Sequence, residues 1–194
     1  MVPEKAEYSR KTRETEVEVS LNIRGTGEIQ VATGLGSLDH MLNLLAFWAG
    51  FDLKLSASGD LYVDAHHTVE DVGLCLGAAL KKALGDKEGL FRVGWAKIPM
   101  DEALVDAALD ISGRPCLVYR ENILPEIVLG EEKDVWREFF KSLVNQAGMN
   151  LHLHFVCGEN AHHLLESAFK GTGFSLRQAS TFSGSGVHST KGVL

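Results

Sequence analysis

The chain has no long apolar run. Its longest, LLAFWAGF at 44–51, falls well short of the roughly 20 residues that a membrane-crossing helix needs. Its first residues, MVPEKAEYSRK, lack the apolar stretch of a secretory signal. Cysteine is scarce: Cys75, Cys116 and Cys157 are odd in number, widely spaced and match no zinc pattern. Reduced, buried thiols in a cytoplasmic protein are therefore expected. Positive charge is outnumbered, 19 Lys and Arg against 26 Asp and Glu, for a net charge of −7. That balance argues against a general affinity for nucleic acid. The remaining composition, 45% hydrophobic and 23% charged over 194 residues, is ordinary for a globular chain with a core of its own and no membrane partner.

Against that plain background one short string occurs twice. DAHHTVED at 64–71 and NAHHLLES at 160–167 share the pattern His-His-x-x-Glu. The residues are His66, His67 and Glu70, then His162, His163 and Glu166, each pair 96 positions apart. Upstream, AGFDLKLSAS (49–58) aligns with AGMNLHLHFV (147–156) at an offset of 98. There Leu53 and Leu55 match Leu151 and Leu153, alternating with polar residues as in a half-buried strand. Leu38, Met41, Leu42 and Leu45 match Trp136, Phe139, Phe140 and Leu143, spaced as on an amphipathic helix. Earlier still, EVEVSLNIRGTGEIQV and EALVDAALDISGRPCLVY, offset by 88, each read as two strands joined by a turn containing glycine.

The chain is thus an internal duplication of class α+β. It has two β-β-α-β-α halves, 1–97 and 98–194, each packing its helices on one face of its sheet. No strong linker separates them, so one compact unit is expected. The polar residues 1–13 and the Gly- and Ser-rich 183–194 are expected to be irregular, the latter mobile until a partner or ligand orders it.

On a helix, His66 and Glu70 share a face while His67 turns away by about 100°. Adjacent imidazoles that diverge in this way suit two metal ions rather than one. Imidazole with carboxylate and no thiolate suits manganese, iron, nickel or zinc. One copy alone would leave paired surface histidines near a helix start on an equal footing; the second copy favours metal. His40, in LDHML, and its counterpart Glu138, in WREFF, open the paired amphipathic helices and are further candidates. Each alone would read as a solvated helix position. His152 and His154 share the polar face of a strand, and the equivalence of His152 with Lys54 marks that face as exposed.

With these residues in view the chain resembles the imidazoleglycerol-phosphate dehydratase family of histidine biosynthesis. The resemblance rests on RETEVEVSLNIRGTG, TGLGSLDHML, GDLYVDAHHTVEDVGLCLGAAL, PMDEAL, LDISGRPCLV, ENAHHLLESAFK and STKGVL, in that order. It implies dehydration of imidazole glycerol phosphate to imidazole acetol phosphate at two manganese ions per active site. It also implies sites shared between subunits of a twenty-four-chain homo-oligomer. The implied ligands are His40, His66, His67, Glu70, His162, His163 and Glu166, with Glu138 at a position where the family usually has histidine. Most of these also border the substrate. Glu14 is the implied acid/base residue, while Arg92, Arg114, Lys170, Ser189, Thr190 and Lys191 hold the phosphate, the Gly-rich tail closing over it.

Departures from the family pattern lie nearby. Leu44 and Trp48 replace a glutamine and a histidine that face substrate, GTGF follows Lys170 where the family continues a good helix, and His188 replaces a proline. A different dimetal enzyme on this scaffold with another phosphorylated substrate stays open at this point. So does a metal-organised assembly protein, although Glu14, Arg92, Arg114 and Lys191 speak against it.

Overall fold

The computed structural model describes residues 2–184 and 186–192. The first half runs β1 (Lys5–Lys11), β2 (Thr15–Asn22), β3 (Ile29–Ala32), α1 (Gly36–Ala49), β4 (Asp52–Gly59) and α2 (His66–Leu84). The second runs β5 (Val93–Met100), β6 (Ala103–Asp110), β7 (Cys116–Arg120), the short β8 (Ile127–Val128) and β9 (Glu131–Glu132), α3 (Lys133–Ala147), β10 (Asn150–Cys157) and α4 (Ala161–Ala179). The sheets are ordered β1-β2-β4-β3 and β5-β6-β10-β7, the same topology twice. The α+β duplication therefore holds.

Four details differ from the sequence expectation. A further strand leads each half: β1 lies in the segment read as irregular, its alternation masked because one face is polar and the other only half buried. The other is β5, so a boundary at 97/98 cuts a strand, whereas by elements the halves part between Leu84 and Val93. The strands on either side of the Gly25 turn, β2 and β3, do not pair. β4 lies between them, antiparallel to β2 and parallel to β3, because α1 carries the chain across as a β-α-β crossover. The tail is also tied down further than expected. Phe91 N–H bonds the Thr181 carbonyl (2.8 Å), Ser183 N–H that of Gly89 (2.7 Å), and Arg92 Nη1 that of His188 (3.0 Å).

Each sheet buries one face. Val17, Val19 and Leu21 of β2 and Leu53 and Leu55 of β4 point into the core, and Lys54, His152 and His154 face out. α2 packs on β1 and β2, α4 on β5 and β6, and the four helices form the layer between the sheets. They pair across the halves, α1 with α4 and α2 with α3. Both pairs run parallel: His40 meets Glu166 near the starts of α1 and α4, and Trp48 meets Phe174 near their ends. The centre is aromatic, with Phe140 and Phe169 ring centroids 4.7 Å apart, and the buried Trp136 indole N–H donates to the Val128 carbonyl at 3.0 Å. Of the thiols only Cys75 is buried, where desolvation and the charge of Asp71 push its pKa up to about 11. Cys116 and Cys157 are exposed, contrary to expectation, Cys116 opening β7 and Cys157 closing β10.

The glycines of GTGF do not break α4. A methyl group at Gly173 would strike the carbonyl oxygen of Leu45, and one at Gly77 that of Leu143. Leu45 and Leu143 are repeat counterparts, as are Gly77 and Gly173. Helix propensity is given up at both places so that two backbones can touch. Gly173→Ala is expected to destabilise the metal-free protein by about 1–3 kcal/mol, read as a melting temperature several degrees lower. The same change at Gly36, where nothing lies within 4 Å of the new carbon, leaves stability unchanged or slightly raised.

Candidate metal centre

Both motif helices open on a side-chain oxygen. Asp64 Oδ1 accepts the His66 N–H at 2.8 Å, and Asn160 Oδ1 accepts the N–H groups of His162 (2.9 Å) and His163 (3.5 Å). This fixes the first turn, so the imidazoles leave it in set directions. The rings of His66 and His67 stand 6.2 Å apart at 85°, those of His162 and His163 6.5 Å apart at 83°. Neighbours so nearly perpendicular point in different directions.

The first cluster joins the two halves. His40 Nε2 from α1 and His162 Nε2 from α4 lie 3.3 and 3.1 Å from Glu166 Oε2. Their rings are 5.5 Å apart. The other Glu166 oxygen takes Lys170 Nζ at 2.5 Å. Burial acts to raise the Glu166 pKa, its side chain being 9% exposed, but hydrogen bonds from Lys170, His40 and His162 outweigh it and hold the carboxyl below its ordinary value. Two imidazole nitrogens and one ionised oxygen converging in this way fit a divalent cation of the manganese-to-zinc series.

The second cluster stands at the start of α2. His67 Nδ1 lies 3.0 Å from Asp60 Oδ2 and 4.0 Å from Glu14 Oε2, and His66 Nε2 lies 3.8 Å from Glu70. The Asp60 hydrogen bond, aided by the charge of Glu14 and working against desolvation, raises the His67 pKa. In the second half the corresponding histidine, His163, places Nδ1 2.9 Å from Glu102 Oε2. Glu102 also accepts the N–H groups of Asn160 (2.8 Å) and Glu159 (3.2 Å), and these bonds, His163 first, hold its pKa down at about 2.

Glu138 is not brought to any of these groups: Lys141, one turn on, binds both its oxygens at 3.0 and 2.8 Å. Leu44 and Trp48 continue the His40 face of α1 at four-residue steps, and Trp48 packs edge-on against Phe174. Asp60 and Glu102 were not singled out in the sequence. For Glu102 a signal existed, since the strand offset of 88 carries Glu14 directly onto it.

The cationic residues divide between two places. Lys170 stands beside Glu166, its Nζ 3.9 Å from Met100 Sδ at the end of β5. Arg92 precedes β5 at its other end, where it grips Asp110 with Nε (2.5 Å) and Nη2 (2.8 Å). Arg114 follows on the next turn, bonding the Ser112 carbonyl. Ser189 is half-buried beside Thr190 and Lys191, which are exposed. Arg92 and Met100 are eight residue steps apart along the strand, about 26 Å. Both cannot hold one phosphate within a single chain.

These features define a class: a duplicated α+β protein whose helix starts cluster imidazole and carboxylate groups, a donor set that suits divalent metal. Residues 33–176 match the family model described as imidazoleglycerol-phosphate dehydratase. The chain is 61% identical to the imidazoleglycerol-phosphate dehydratase of Solidesulfovibrio magneticus over 96% of both chains. It is 56% identical to that of Maridesulfovibrio salexigens over 97% of both. It resembles the solved structure of the Pyrococcus furiosus enzyme, crystallised with (S)-C348, at TM-score 0.84 and 39% identity, covering 96% of this chain and 99% of that one. The chain belongs to the imidazoleglycerol-phosphate dehydratase family, hydro-lyases of histidine biosynthesis.

The Glu166 contacts carry a pH dependence. Its folded pKa lies below the reference of 4.5, so its contribution to stability is complete above that value and is lost as pH falls through the folded pKa. Lys170→Met removes the strongest compensating group. The acid-unfolding midpoint of the metal-free protein is expected to move to higher pH, followed by circular dichroism.

Proposed function

We propose that the chain dehydrates imidazole glycerol phosphate to imidazole acetol phosphate at two manganese ions. The observation that carries this is the convergence of His40, His162 and Glu166 from opposite halves of the duplication. They hold one ion; His66 with Glu70, and the diverging His67 and His163, supply the remaining ligands, the two neighbours of each pair going to different ions. Glu138, its carboxylate carried by Lys141, is left out of the set. Bound manganese supplies Lewis-acid stabilisation of the charge that develops as the proton leaves a carbon without a neighbouring carbonyl.

The side chains account for the rest. Glu14 is at the tip of the β1–β2 turn, which Thr12 Oγ1 holds by accepting the N–H groups of Glu14 (3.0 Å) and Thr15 (2.9 Å). Its carboxylate is more than half exposed and 4.0 Å from His67, so it is available to take and return a proton. Arg92, Arg114, Ser189, Thr190 and Lys191 grip the phosphate of a substrate whose imidazole end lies at the metals. Lys170, beside Glu166, belongs to the metal end. Because strand length separates these groups within one chain, the grip and the metals come from different copies, and assembly as a homo-oligomer, with twenty-four chains as in the family pattern, completes the site.

Metal-stripped protein is expected to regain formation of imidazole acetol phosphate on addition of Mn²⁺. Glu14→Gln is expected to lower kcat roughly a hundred- to ten-thousand-fold while binding Mn²⁺ as before. Stoichiometric Mn²⁺ binding with no product from either protein would overturn the substrate assignment and favour another phosphorylated substrate.

A further inference from the structure

The duplication maps Glu14 onto Glu102: both occupy the tip of a hairpin turn, β1–β2 and β5–β6, and both approach the second histidine of the neighbouring motif. Their surroundings differ. Glu102 is fully engaged, one oxygen on His163 Nδ1 and the other on the amides that open α4. Among the described residues Glu14 makes no such bonds, the corresponding nitrogen, His67 Nδ1, being held by Asp60. Asp60 comes from a different element, just past the end of β4, and its side chain is 11% exposed. Thus the same contact, carboxylate to Nδ1 of the second motif histidine, is made twice at 2.9–3.0 Å from residues that are not repeat counterparts.

Resting on the metal and proton-transfer roles above, we infer that Asp60 and Glu102 are positioning residues for the metal ligands His67 and His163. By accepting Nδ1–H each fixes the tautomer whose free lone pair is on Nε2, so that Nε2 is the ligand atom. In the first half Asp60 takes over this task and Glu14, the counterpart of Glu102, is released to handle protons. The two repeats have divided one inherited carboxylate position into an orienting role and a catalytic one. A merely structural pair would not need acidic partners on both histidines at the same nitrogen.

The test is a Mn²⁺ titration of the full-length, metal-stripped protein, read by electron paramagnetic resonance. ¹⁵N spectra of histidine-labelled, metal-free protein report the tautomers alongside it. Asp60→Asn and Glu102→Gln are each expected to weaken Mn²⁺ binding 10- to 100-fold and to shift one histidine away from the Nδ1–H form. Glu14→Gln is expected to bind Mn²⁺ as the unsubstituted protein does. Unchanged affinity and tautomers in both amide variants would overturn the assignment alone. Weakening by Glu14→Gln equal to that of Asp60→Asn would overturn the division of roles. Failure of the unsubstituted protein to bind Mn²⁺ would overturn the metal centre itself and this assignment with it. Should an amide variant fold poorly, the tautomer measurement on the other still decides.

Discussion

The structure depends on two helix pairs that touch backbone to backbone across the halves. α1 lies on α4 at Gly173, and α2 lies on α3 at Gly73 and Gly77. Each half covers one face of its sheet with its own two helices, and the sides of those helices turned away from the sheet need a cover in turn. Joining the helices of one half to those of the other covers both sets at once and builds one core. It also determines the chemistry. His40 reaches His162 and Glu166 only because α1 and α4 run parallel and close, starts together.

A duplication supplies two copies of each position but does not force them to keep the same partners. Asp71, buried in the first half, is held by Arg10 at 2.5 Å and by Thr15. Its counterpart is Ser167, with no charge to compensate. The converse holds for Glu166, which has Lys170 where the first half has Leu74. Each buried carboxylate thus acquired a cation locally, as the cost of an unpaired buried charge demands. The same drift placed Lys141 beside Glu138, so that the counterpart of His40 became half of a salt bridge.

Much of this was legible in the sequence because a repeat makes weak signals count twice. The His-His-x-x-Glu spacing gave the i, i+4 pairs His66–Glu70 and His162–Glu166, and the divergence of adjacent imidazoles followed from helix geometry alone. The leading strands β1 and β5 were less visible, since β1 buries no residue fully and a single alternating segment without an apolar face carries little period. The place of β4 between β2 and β3 could not be read from local pattern, because pairing order is decided by the crossover through α1. The glycines at 171 and 173 looked like a defect by propensity; only the neighbouring backbone shows why one of them is needed. Asp60 and Glu102 lay within family segments, GDLYVDAHHTVED and PMDEAL, without standing out there; their meaning lies in which imidazole nitrogen they meet.

The two ends of β5 raise a further physical constraint. The second motif stands where β5 ends and α4 begins, and the paired Arg92 and Asp110 stand where β5 begins and β6 ends. No rotation of side chains closes a gap of about 26 Å along a rigid strand. Arg92 adds a second limit. Its guanidinium is already forked onto Asp110 and also donates to the His188 carbonyl, so it acts as much to seat the chain's tail as to offer charge. A phosphate arriving there meets a preorganised donor whose position is fixed from behind by a carboxylate, which lowers the entropy lost on binding. Under the proposed function, the contact between copies brings this fixed cation over the metals of a neighbour. Assembly and catalysis then share one requirement: the surfaces that join the chains must align the start of one β5 with the end of another.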